Sequence, residues 1–91
     1  MPRRPDEQDV WDKLVVSLEL ADLSDSETRA RLDSAAAKAN NRGLQAAAAW
    51  QYAPALKMLT AAIDVWERLA HTPGVITARN ARGGVYRRVG A

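Results

Sequence analysis

The stretch from Pro54 to Ala70, PALKMLTAAIDVWERLA, constrains this chain more than any other. Leu56, Leu59, Ile63, Trp66 and Ala70 recur at three-and-four spacing, the seam of an amphipathic helix. Met58, Ala62, Val65 and Leu69 form a second apolar stripe beside the first. A helix with two such stripes must be covered on more than half its girth. Lys57, Thr60, Asp64, Glu67, Arg68 and His71 are left for water, with Asp64 and Arg68 at favourable i,i+4 spacing. The rest of the fold has to supply the cover.

Little else is long enough to do so. A chain of 91 residues makes at most one domain, with a core that is marginal alone. Three Trp, two Tyr and no Phe leave that core poor in bulky groups. Self-association is a common remedy at this size. Trp50, Leu56, Leu59, Ile63 and Trp66 are therefore expected at an oligomer interface. With no Cys, disulfides and thiolate metal sites are excluded. The apolar runs are short and broken by charge, so no membrane span is expected. MPRRPDEQD turns acidic where an export signal would turn apolar, which points to a cytoplasmic protein.

In chain order, residues 1–5 (MPRRP) read as an extended basic arm carrying Arg3 and Arg4. A helical domain follows over 6–72. Its first helix, 6–21, is expected to bury Trp11, Leu14, Val15 and Leu18. Ser24-Asp25-Ser26-Glu27 reads as a capping box that opens a second helix, 24–41. Glu27–Arg31 and Arg29–Asp33 are spaced to stitch its outer face, and Asn40-Asn41-Arg42-Gly43 to end it. A third helix, 44–70, is kinked or broken near Pro54.

His71-Thr72-Pro73-Gly74 is a stop, with His71 suited to the negative end of the preceding dipole. Residues 73–91 then form a basic C-terminal tail or a short β-hairpin, two β-branched runs about Gly83-Gly84. The fold expected is all-α: a small bundle of three to four helices with that basic end.

Charge is unevenly spread. Residues 1–33 hold nine acids and five bases, a net of −4; from Ser34 onward eight bases face two acids, a net of +6. After Glu67 no acid remains. Such polarity suits a polyanion or the acidic face of another subunit. Arg79, Arg82, Arg87 and Arg88 with Tyr86, joined by Arg3 and Arg4, are the candidate nucleic-acid contacts. A single His and no Cys leave no nucleophile–base pair, and Gly83-Gly84 lacks the context of a phosphate loop. No catalytic residue, metal or cofactor is expected.

Trp11-x-x-Leu14, then Asp22-Leu23-Ser24-Asp25, then an Ala-rich helix, resembles the phage small terminase subunits. Trp66-Glu67-Arg68-Leu69 followed by Gly74-Val75-Ile76-Thr77 and Gly83-Gly84-Val85 is similar to their helix-then-glycine-hairpin pattern. The chain departs from that family in lacking its closing helix and in the spacing between the matched portions. The resemblance implies an oligomer in the host cytoplasm that recognises double-stranded viral DNA and passes it to a larger packaging partner. The alternative is a helical structural adaptor whose basic tail docks on protein.

Overall fold

The computed structural model describes Val16 and residues 22–90. Val16 is helical and exposed; the rest of the helix expected at 6–21, and the arm with Arg3 and Arg4, lie outside the described residues. Three helices follow: α1 (Ser26–Ala48), α2 (Tyr52–Arg68) and α3 (Thr72–Gly90), joined by three-residue turns. The described chain is a compact helical bundle without a strand.

The start of α1 is capped one residue later than the sequence suggests. The Asp25 carboxylate accepts from the Thr28 amide at 3.0 Å and the Thr28 hydroxyl at 2.6 Å. Ser24 instead donates to Asp22, through its amide at 3.0 Å and its hydroxyl at 2.6 Å. A carboxylate is the better acceptor beside a helix N-terminus, because the dipole favours its charge. Glu27 is thereby free to pair with Arg31 at 3.0 Å, as its spacing predicts. The expected Arg29–Asp33 stitch gives way to longer-range bonds. Arg29 donates to the Leu23 and Leu69 carbonyls (3.2 and 2.8 Å), and Asp33 accepts from Trp66.

The stop expected at Asn40–Gly43 does not occur. α1 runs through it because Gly43 is needed for approach rather than for a turn. A Cβ there would lie 2.8 Å from Leu59 Cγ and 3.3 Å from the Ala55 carbonyl. Glycine in a helix interior costs about 1 kcal/mol against alanine, less than the close α1–α2 contact returns. One turn before it, Asn40 is buried with its Oδ1 lacking a hydrogen-bond partner.

Both turns have the same construction. Gln51 N–H bonds to Ala46 O at 2.8 Å and Trp50 N–H to Ala47 O at 3.1 Å; His71 N–H bonds to Trp66 O at 2.9 Å and Ala70 N–H to Glu67 O at 3.1 Å. This is the Schellman pattern, whose penultimate residue is left-handed and usually glycine. Here it is Trp50 (φ 66°) and Ala70 (φ 55°). Each incurs roughly 1 kcal/mol of backbone strain. Pro54 falls in the first turn of α2, where its missing amide is no loss, so the chain breaks before it and does not kink at it.

The C-terminal segment differs most from expectation. Residues 72–90 are helical, so the hairpin is absent, and the glycine-turn part of the terminase resemblance has no counterpart. Thr72 and Pro73 open α3 behind a side-chain cap from His71, and Gly74, Ala78 and Val85 line up on one buried face. An isolated two-stranded hairpin would be marginal; a helix can lay that face on α2. Tertiary cover thus outweighs the poor helix propensity of Gly83-Gly84.

α2 is the middle element. It packs against both α1 and α3, which scarcely touch each other. The core has two parts. Leu32, Ala36, Ala39, Met58, Ala62, Ile63, Val65, Trp66, Leu69 and Ala78 form the larger. Ala46, Ala47, Ala55, Leu59 and Val85 form the smaller, flanked by Tyr52, Leu56 and Ala81. Apart from Leu56, half-buried, and Ala70, exposed in the turn that follows, the two stripes of α2 find their cover within one chain. Of the five residues expected at an oligomer interface, Leu59, Ile63 and Trp66 are buried in this core, Leu56 is half-buried, and Trp50 stands in solvent.

Candidate nucleic-acid interface

Two successive reversals bring the end of α1, the start of α2 and the end of α3 to the same side of the bundle. Their halves carry Lys38 and Arg42, Lys57, and Arg82, Arg87 and Arg88: six cations and no carboxylate among the described residues. The opposite halves, with the turn before α1, hold Asp22, Asp25, Glu27, Asp33, Asp64 and Glu67 beside Arg29, Arg31, Arg68 and Arg79. Formal charge is thus +6 on one side and −2 on the other. Sequence proximity alone does not assemble this group. Lys38 and Lys57 join the arginines of α3 only through the antiparallel packing, although the acid-free run from Ser34 to Ile63 is a visible sign.

The arginines expected to act together are divided by the fold. Arg79 lies on the acidic side and pairs with Glu67 at 2.7 Å. Both side chains are about half exposed, so the pair contributes at most about 1 kcal/mol. Arg82 is half-buried and donates to the Thr60 hydroxyl at 3.3 Å. Arg87 is exposed and lies back along the glycine pair, its guanidinium nitrogens 3.8 Å from where Gly83 and Gly84 would carry a Cβ. Arg88 is exposed, with Nη1 3.5 Å from the Ala47 carbonyl at the end of α1. Arg87 and Arg88 also oppose the negative pole of α3, a role that needs no ligand. Tyr86 is exposed beside them.

Trp50 completes this end. It projects from the α1–α2 turn, three residues beyond the carbonyl that Arg88 approaches, and is 81% exposed. Leu44, Tyr86 and Val89 are the other large apolar side chains exposed on this side. Cations and apolar surface therefore occur together here.

The acidic side is occupied by structural bonding. Hydrogen bonds from Ser24 hold the Asp22 carboxyl below its usual range, and those from Thr28 do the same for Asp25. Partial burial, then the nearby Glu67 charge, pushes Asp64 upward, against the pull of Arg82 and Arg68. His71 is not the partner of the α2 C-terminus that its position suggests. Its Nδ1 accepts from the Gly74 amide at 3.0 Å, capping α3, and its ring stacks on Trp66 with centroids 5.9 Å apart. An acceptor is what the start of α3 needs, since its first amides lack partners within the helix.

Among the described residues no three His, Cys, Asp or Glu converge as metal ligands. No described helix is long and apolar enough to cross a membrane. Comparison with protein-family models, curated proteins and solved structures finds no match to this chain.

Proposed function

We propose that this protein is a non-catalytic, DNA-associated assembly protein that grips nucleic acid through the cation-bearing side of its bundle. The observation that carries the reading is the segregation of charge. Lys38, Arg42, Lys57, Arg82, Arg87 and Arg88 share one side whose helix halves carry no carboxylate among the described residues, with Asp64 near Arg82 at its border. Four exposed large apolar side chains border these cations. A polyanion rewards such an arrangement through counterion release. The small terminase resemblance extends the reading to a homo-oligomer that acts with a larger packaging partner on viral DNA in the host cytoplasm. With Leu59, Ile63 and Trp66 committed to the core, self-association rests on other surface.

The test is a fluorescence-anisotropy titration of the full chain against duplex DNA over a series of salt concentrations. Log affinity should fall linearly with log salt, with a slope near −0.9 per phosphate neutralised. Replacing Lys57, Arg87 and Arg88 by Ala should weaken binding and flatten that slope by about one unit for each phosphate left without its cation. Absent or salt-insensitive binding to duplex and to a single strand of equal length alike removes the DNA reading and leaves the helical adaptor.

A further inference from the structure

We infer that Trp50 is a stacking platform for unpaired bases, so that the cation-bearing side prefers single-stranded over duplex DNA. This rests on the nucleic-acid reading above and assigns it a strand class. Trp50 gains neither shelter nor a relaxed backbone from its place in the fold: it is 81% exposed at a φ of 66°. The equivalent position of the second turn shows what the turn itself requires. Ala70 takes the same conformation at φ 55°, with a small side chain. An indole is not needed to reverse the chain, and strained backbone under an exposed aromatic is a mark of use.

The surroundings select the ligand. Arg88 Nη1 lies 3.5 Å from Ala47 O, so the last turn of α3 reaches the end of α1 just before Trp50. Val85 is buried against the same end, with Ala46, Ala47 and Tyr52, which sets Tyr86 on that side too. A duplex offers phosphates to this surface but keeps its base faces stacked inside. An unpaired strand offers both phosphates for the arginines and π-faces for Trp50, with Tyr86 as a second aromatic along the path.

The experiment compares the full chain with its Trp50→Gly and Trp50→Tyr variants. Glycine suits the left-handed turn, so Trp50→Gly keeps the fold, and far-ultraviolet circular dichroism verifies it. Anisotropy is read with labelled oligothymidine and with a duplex of equal length. The wild type should bind oligothymidine more tightly than duplex. Trp50→Gly should weaken oligothymidine binding roughly tenfold or more, with an unchanged salt slope and little effect on the duplex. Trp50→Tyr should retain most of the affinity.

Equal loss on both DNAs, or no loss on oligothymidine while Arg87→Ala/Arg88→Ala weakens both, overturns the stacking role and spares the nucleic-acid reading. Loss of self-association in Trp50→Gly with unchanged DNA affinity also overturns it, making Trp50 an anchor for a second copy. Failure of the wild type to bind either DNA defeats both readings together.

Discussion

Trp66 Nε1 donates to the Asp33 carboxylate at 2.7 Å, joining the buried end of α2 to the outer edge of α1 across 33 residues of chain. The indole is 6% exposed, so its N–H has little water to fall back on. Asp33→Ala should lower unfolding stability by about 1–2 kcal/mol, the cost of stranding a sheltered donor. Urea denaturation followed by Trp fluorescence measures it; an unchanged midpoint would show that water reaches the indole after all.

The glycines sort into two groups. A Cβ at Gly74 would sit 2.5 Å from the Trp66 ring and 2.7 Å from His71 Nδ1, and one at Gly43 would press on Leu59. Gly43→Ala and Gly74→Ala should each destabilise by about 1–3 kcal/mol through overpacking. At Gly83 the nearest atom is Arg87 Nη1, at 3.8 Å. Gly83→Ala should therefore stabilise by about 0.5–1 kcal/mol, from helix propensity alone. Thermal melts of the three variants give the signs.

Ala70→Gly should stabilise by roughly 0.5–1 kcal/mol, because glycine takes the left-handed turn without a Cβ clash. The chain beyond the turn keeps its bonds, so α3 should be unchanged by circular dichroism. A loss of stability would mean that the added freedom of the unfolded chain outweighs the relieved strain.

Acid should act on this fold through Asp25. Its carboxyl titrates below the usual 3.8, held there by Thr28, so its contribution is present above that value. The contribution is lost as pH falls through the lowered folded-state pKa, where the cap is protonated. Asp25→Ala should thus lower the urea midpoint at neutral pH, with the gap closing in strong acid. Asp64 has the opposite sign: its pKa is raised, so the folded state favours the protonated form. The stability it lends at low pH is lost as pH rises above 3.8 through the folded-state value. Asp64→Asn should accordingly be neutral or stabilising at pH 7.

What could be read from sequence was local periodicity. The two stripes of α2, the Glu27–Arg31 pair and the break before Pro54 follow from spacing within one or two turns, and each is present. The two larger misreadings, at Gly43 and at Gly83-Gly84, depend on neighbours remote in the chain, whereas those at Ser24 and His71 turn on which local group is the better acceptor. Gly43 looks like a stop until Leu59 is beside it, and Gly83-Gly84 looks like a hairpin turn until Val85 has α2 to rest on. His71 exchanged one helix end for the next because the acceptor it offers was wanted by Gly74. Of the candidate interface, Arg82, Tyr86, Arg87 and Arg88 were legible. Lys38 and Lys57 were not, since their nearness to α3 is a product of topology.

The up–down–up order of the described helices has an electrostatic consequence. With an odd count, the dipoles leave one helix uncancelled, about half a negative charge at the Trp50 side. Six formal positive charges stand against that half unit, so helix-end compensation absorbs only a small share of them. The remainder repel one another, and added salt screens that repulsion. Without a ligand, the protein should melt at higher temperature as sodium chloride is raised from low concentration. Inorganic polyphosphate should achieve the same at far lower dose.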